Sequence, residues 1–247
     1  MELMAHRGAS GLAPENTLAA FRLCLEYQPE WIELDVHATA DGEIVVMQDA
    51  TVDRTTDGCR IAERCGHALP STAIGELTLA QIKALDAGSW RGEEFAGEPA
   101  PTLAEVVELV GDRVRLNVEI KGGPNLDYVA GRVIDILSDG GCLLCSMISS
   151  FDVEAVRAVR ALNDEPAVAL ITGRAEDLQV CLVEGFGWLN LHDAGVTPEL
   201  VREARRKGVD VCAWTINALS RWGEFKQMGV AVLCTDMAHL APPLGER

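Results

Sequence analysis

The chain has 247 residues, 48% of them hydrophobic, and carries a formal net charge of −17. That length and apolar content can bury one large core, so a single α/β domain spanning 1–247 is expected. The acidic balance argues against nucleic acid or an anionic membrane surface as partner, because both need a basic footprint. A small anionic substrate needs only a locally positive site.

Short apolar runs alternate with amphipathic stretches along the chain. A strand candidate at 3–6 precedes a helical pattern at 17–27, and strand candidates follow at 31–37 and 44–48. A helical pattern at 103–110 leads to a strand at 114–120. From there, strands at 146–149, 168–171, 188–192, 209–216 and 230–235 are separated by helical patterns at 126–138, 153–162, 175–184, 198–207 and 218–228. Alternation of this kind predicts a parallel sheet with helical crossovers.

Nine strands are one too many for a (β/α)₈ barrel, and connection length resolves the excess. Only six residues, Ala38 to Glu43, join the second and third strands, whereas a parallel crossover needs about a dozen. Asp41-Gly42 is a hairpin signal instead. The strand at 44–48 should therefore run back antiparallel and open an insertion at about 38–100. The remaining eight strands predict a TIM-type (β/α)₈ barrel with an insertion after its second strand. Active sites of such barrels lie at the carboxyl ends of the strands, where His6, Glu33, Asp35, Glu119, Lys121 and Trp214 fall. The returning hairpin strand brings Gln48 and Asp49 toward the same rim.

Glu33-Leu34-Asp35 and Asn117-Val118-Glu119-Ile120-Lys121 alternate polar with apolar residues. Glu33 with Asp35, and Glu119 with Lys121, should each share a strand face. Turning carboxylates into a barrel costs several kcal/mol unless a cation joins them. A divalent metal held by oxygen ligands is the simplest candidate, with Lys121 left to meet a phosphate.

No charged segment followed by an apolar stretch opens the chain, and no apolar run approaches the roughly 20 residues that span a bilayer. The eight cysteines are too sparse for a disulfide scaffold, so buried free thiols in a cytoplasmic protein are expected, without membrane insertion. Cys142 and Cys145 have zinc or redox spacing but lack a second pair, and Cys59, Cys65 and His67 make an equally thin case. Core or loop positions are expected for all five. Asn16 is read as the N-cap of the first helix, and Asp53, Arg54 and Asp57 as a polar network that orders the insertion.

His6-Arg7-Gly8-Ala9 and Pro14-Glu15-Asn16-Thr17 open a series of short motifs. They are followed by Glu33-Leu34-Asp35-Val36, Asp41-Gly42, Asp53-Arg54-Thr55-Thr56, Pro101-Thr102-Leu103 and Asn117-Val118-Glu119-Ile120-Lys121. Ser150-Phe151, Trp214-Thr215-Ile216-Asn217 and Thr235-Asp236 complete it. In this order, over essentially the whole chain, the set resembles the glycerophosphodiester phosphodiesterase family. The resemblance implies a distorted TIM barrel that hydrolyses glycerophosphodiesters to an alcohol and glycerol 3-phosphate with Mg²⁺ or Ca²⁺. It implies that Glu33, Asp35 and Glu119 bind the metal, and that Arg7 and Lys121 contact the phosphoryl oxygens. His6 would carry acid–base work, and Trp214 would wall the substrate pocket. The partner is then a small phosphodiester, with self-association left open.

One position departs from the family pattern. Where the family has His-Asp after the hairpin strand, this chain reads Val46-Met47-Gln48-Asp49. The family's histidine there shares acid–base catalysis with the one matching His6. Glutamine can hydrogen-bond a phosphate oxygen but has no usable proton near neutral pH, and such catalysis contributes about 10²–10⁴-fold. Three readings stay open. His6 alone serves and the reaction is slow; the reaction is redirected to a leaving group that departs unprotonated; or the protein binds phosphodiesters without efficient turnover. His37, next in the inward series after Glu33 and Asp35, is read as a rim residue.

Overall fold

Period-two alternation decides which way each side chain of the sheet points. The computed structural model describes residues 1–58 and 72–241. In β2 (Trp31–Ala38), Ile32, Leu34 and Val36 pack outward into the main hydrophobic cluster. Trp31, Glu33, Asp35 and His37 must then face the barrel axis. The same rule sends Leu3 and Ala5 of β1 (Glu2–His6) outward and Met4 and His6 inward. In β4 (Arg115–Ile120), Leu116, Val118 and Ile120 pack outward, leaving Asn117 and Glu119 inside.

β5 (Met147–Ser150), β6 (Ala167–Thr172), β7 (Trp188–His192), β8 (Asp210–Trp214) and β9 (Val232–Thr235) continue the sheet. The strand order is β1-β9-β8-β7-β6-β5-β4-β2, and β1 also pairs with β2, so eight parallel strands close into a barrel. β3 (Ile44–Val46) lies outside the closed ring, antiparallel to β2. The fold is a (β/α)₈ TIM barrel, as expected. The third strand is shorter than the predicted 44–48. Its ladder stops at Val46, although the Met47 amide still donates to the Asp35 carbonyl at 2.9 Å.

Helices α1 (Leu18–Tyr27), α3 (Leu103–Val110), α4 (Leu126–Asp139), α5 (Val153–Leu162), α6 (Leu178–Glu184), α7 (Pro198–Arg206) and α8 (Leu219–Met228) fill the crossovers. Several start on side-chain caps that satisfy first-turn amides. Thr102 and Glu105 form a reciprocal capping box on α3, and Thr197 precedes Pro198 on α7. The cap of α1 is Thr17, whose hydroxyl accepts from the Ala20 amide at 3.2 Å, so the assignment of this role to Asn16 is corrected. Asn16 has a left-handed backbone, φ 58, and points elsewhere.

Between β2 and α3 the chain forms β3 and a further short helix, α2 (Leu79–Lys83), capped by Thr78 and Gln81. Periodicity missed this helix because five residues are little more than one turn. The segment packs its own apolar cluster of Val45, Met47, Val52, Ile74, Leu77, Ile82, Leu85, Ala87 and Ala100. A third cluster, containing Met4, Trp31, Met147, Ala169, Cys212, Val232 and Cys234, fills the barrel interior. It forms an apolar floor beneath the inward polar groups. No helix among the described residues is long and apolar enough to cross a membrane.

Cys24, Cys142, Cys181, Cys212 and Cys234 are buried free thiols, while Cys145 is free and exposed. The Cys142 sulfur lies near the Leu137 carbonyl at the end of α4, and the Cys145 sulfur near the Cys142 carbonyl. Cys59, Cys65 and His67 lie outside the described residues.

Candidate active site

Strand register brings the carboxylates together. His6 stands level with Glu33, and Asp35 level with Glu119, across two adjacent parallel pairings. All three carboxylates are buried, Asp35 completely, and each offers an oxygen within 4.8 Å of the others. Lys121 follows β4 and continues its inward series. Its ammonium lies 2.7 Å from Asp35 Oδ1 and contacts Glu119 Oε1.

Arg7 enters from the turn after β1. A left-handed backbone at Arg7 (φ 56) and Gly8 (φ 79) folds the chain back immediately after His6. A side chain at Gly8 would lie 3.0 Å from the Ala20 backbone and the Phe21 ring, so glycine lets α1 approach. The turn aims the Arg7 amide at Glu33 Oε2 (3.0 Å) and its guanidinium at Asp35 Oδ2 (3.2 Å). Asn16 donates to the same Asp35 oxygen at 2.7 Å.

The charges do not balance. Three ionised carboxylates against Arg7 and Lys121 leave one negative charge in a buried site, which costs several kcal/mol unless another cation or a proton offsets it. The titration of the groups reflects this. Burial works to raise the pKa of Asp35, but Lys121 and Arg7 outweigh it and hold the group below the ordinary carboxylate value. Glu33 is pushed well above its usual value by burial and then by the neighbouring Asp35 and Glu119. Glu119 rises to about 7, again through burial and then Asp35. Its contact with Lys121 does not prevent this, because Asp35 shares the same ammonium.

These residues fit a hard divalent cation. The donors are all carboxylate oxygens, which suit Mg²⁺ or Ca²⁺ and bind soft metals poorly. Asp35 Oδ1 and Glu119 Oε1 share the single Lys121 ammonium, so the pair is left short of positive charge that a bound cation would supply.

A cavity of about 120 Å³ opens above the carboxylates, lined by His6, Arg7, Glu33, Gln48, Glu119, Lys121, Phe151 and Trp214, among others. Its floor includes Met4, Asn117, Cys212 and Cys234. Trp214 donates its indole N–H to the Asn190 carbonyl at 2.9 Å and meets Phe151 and His192 edge to face. The indole is thereby fixed as a wall.

Gln48 also lines the cavity, just beyond β3. Its buried side-chain oxygen finds no partner among the described residues. The Gln48 carbonyl sits 3.4 Å from His37 Nε2. Burial lowers the His37 pKa and favours the neutral ring.

Two connections were not legible in the sequence. His6 Nδ1 lies 2.7 Å from Asp236 Oδ1, although 230 positions separate them. Only the β1–β9 pairing that closes the barrel unites them. Second, Arg54 binds Asp49 through Nε and Nη2 (2.6 and 2.9 Å) and Glu15 through Nη1 and Nη2 (3.2 and 2.8 Å). Glu15 in turn accepts from Arg7 at 3.0 Å. A charged chain thus runs from the loop after β3 to the arginine over Asp35. Asp57 also orders this region, accepting from the Asp86 amide at 2.8 Å.

The chain is similar to known proteins over nearly its whole length. Residues 6–240 match the glycerophosphoryl diester phosphodiesterase family. A glycerophosphodiester phosphodiesterase of Caldanaerobacter subterraneus is 36% identical over 95% of this chain and 93% of its own length. One from Bacillus subtilis is 36% identical over 96% of this chain and 84% of its own. Among solved structures, an Oleispira antarctica phosphodiesterase in complex with the product sn-glycerol-3-phosphate superposes with a TM-score of 0.86. It shares 29% identity, covering 96% of this chain and 93% of that one. The chain belongs to the glycerophosphoryl diester phosphodiesterase family.

Proposed function

We propose that this family member hydrolyses glycerophosphodiesters to an alcohol and glycerol 3-phosphate, with a divalent cation held by Glu33, Asp35 and Glu119. The observation that carries this reading is the surplus negative charge of three buried carboxylates beside two cations, with Glu33 and Glu119 lining the cavity. The whole of 1–247 is read as one catalytic barrel domain, with about 38–100 as its insertion.

A cation bound there would supply positive charge to offset the charge that develops on the phosphoryl oxygens. Arg7 and Lys121 line the same cavity and act on those oxygens as fixed positive groups whose orientation is set before substrate arrives. Trp214, braced by Asn190 and Phe151, bounds the space for the glycerol or alcohol moiety. Water adds to phosphorus, the bond to the alcohol oxygen breaks, and that oxygen ends protonated.

His6 is the group in the cavity suited to hold and move that proton, at Nε2. Gln48 cannot, because a neutral amide neither gives nor takes a proton in this pH range. It lines the cavity without supplying a proton, and turnover on His6 alone is expected to be slow. The relative's complex with glycerol 3-phosphate supports a cavity of this kind holding the phosphate product.

The test is release of glycerol 3-phosphate from a panel of glycerophosphodiesters with Mg²⁺ or Ca²⁺, abolished by EDTA. Absence of release across the panel at high enzyme concentration, with diester binding retained in calorimetry, would replace hydrolysis by simple binding.

A further inference from the structure

We infer that Asp236 is a positioning residue that fixes His6 in one tautomer, with hydrogen on Nδ1 and the Nε2 lone pair presented to the cavity. The inference rests on the reading of His6 as the proton-carrying group of the hydrolase.

The argument is an inventory of donors around one carboxylate. Asp236 Oδ2 accepts from Asn217 Nδ2 at 2.6 Å. The orientation of that amide is set independently, because Asn217 Oδ1 accepts from the Asp236 amide (2.9 Å) and the Thr235 hydroxyl (3.1 Å). Oδ1 lies 2.7 Å from His6 Nδ1 and 3.0 Å from the Ser10 hydroxyl. Ser10 has a single hydrogen and a closer acceptor, the His6 carbonyl at 2.6 Å. A carboxylate only accepts, so a 2.7 Å contact with a ring nitrogen requires the hydrogen to lie on that nitrogen.

In a neutral ring the other nitrogen then carries the lone pair. Nε2 lies 4.0 Å from Glu33 Oε2, beyond hydrogen-bond reach, and the residue lines the cavity. It is therefore free to take a proton at Nε2 and return it to a departing alkoxide.

Three loops converge to hold this arrangement. Ser10 comes from the loop after β1, Asn217 from the loop after β8, and Asp236 directly follows β9. The Gly11 amide donates to the Asp236 carbonyl at 3.1 Å, and a side chain at Gly11 would lie 2.5 Å from that oxygen. The close approach of these loops needs a glycine there. With glutamine at position 48, His6 has no second histidine among the described cavity-lining residues to share proton transfer. Errors in its tautomer therefore reach the rate undiluted.

Asp236→Asn tests the inference. Its amide can keep an oxygen toward Asn217 while turning an N–H toward His6, which reverses the tautomer. The expected result is a fall in kcat of about 10²–10⁴-fold, with KM within about threefold of the parent. Nitrogen-15 NMR of the histidine ring, with the His6 signal identified by its loss in His6→Gln, should show hydrogen on Nδ1 in the parent and on Nε2 in the variant. A kcat drop below tenfold, or a parent ring protonated on Nε2 when neutral, would overturn the inference. If Asp236→Asn does not fold, the parent spectrum alone decides. If the parent releases no glycerol 3-phosphate, the hydrolase reading falls while the spectrum still reports on Asp236.

Discussion

Glu119→Gln tests whether surplus charge is the organising fact of the site. A carboxyl moved from 4.5 to about 7 holds its proton more tightly in the folded chain by about 3 kcal/mol, at about 1.4 kcal/mol per tenfold. The sign follows from the direction. The unfolded chain releases this proton near 4.5 and the folded chain only near 7, so this contribution to stability falls as pH rises through that window and is fully lost above it. Glutamine keeps the shape and cannot ionise. In EDTA, the variant should match the parent near pH 4.5 and exceed it at pH 8 by up to about 3 kcal/mol, or about 6–12 °C in Tm for a chain of this size. Adding Mg²⁺ or Ca²⁺ should reverse the order at pH 8, because the parent gains a cation and the variant loses one ligand. Thermal unfolding at both pH values, with and without cation, measures all of this. If the variant melts below the parent in EDTA at pH 8, the Lys121–Glu119 pair outweighs the repulsion and the charge argument is wrong.

Gln48→His places an imidazole at the cavity edge, and glycerol 3-phosphate release should rise tenfold or more, toward the roughly 10²–10⁴-fold typical of acid–base groups. An unchanged rate would mean that the chemistry needs no proton from this position. Arg54→Ala cuts the link between Asp49, Glu15 and Arg7. The arginine is nearly half exposed, 46%, so its pairs should contribute about 1 kcal/mol or less to stability, while kcat/KM should fall about tenfold through loss of Arg7 orientation. Unfolding and steady-state assays on one preparation separate the two, and equal small effects on both would make Arg54 a surface residue only.

The barrel and its carboxylates were legible because both depend on local alternation. Once Leu34 and Val118 are assigned outward, the positions of Glu33, Asp35 and Glu119 follow from the pleat, and connection length alone excluded a ninth barrel strand. What stayed hidden depends on contacts made only after closure. Asp236 was visible as a motif, but its partner His6 becomes a neighbour through the β1–β9 pairing. Asn16 looked like a cap because asparagine suits that role. The next residue, Thr17, takes the cap, which frees Asn16 to bind Asp35. No pattern within the chain distinguishes those two assignments.

The placement of Gln48 makes binding and turnover separable. β3 lies outside the closed ring and contributes no carboxylate to the cluster. Its pairing with β2 runs through Val36, His37 and Ala38, above the level of Glu33 and Asp35. A change at position 48 therefore alters what meets the cavity without shifting the strand register that assembles the cation ligands, Arg7 or Lys121. Affinity for a phosphate-bearing ligand should follow the ring, and the rate should follow the hairpin. Product affinity that stays constant between the parent and Gln48→His while kcat changes would be the direct sign of that division. Both moving together would mean that Gln48 is part of the phosphate site itself, and that its unpartnered oxygen reports on binding rather than on a lost proton carrier.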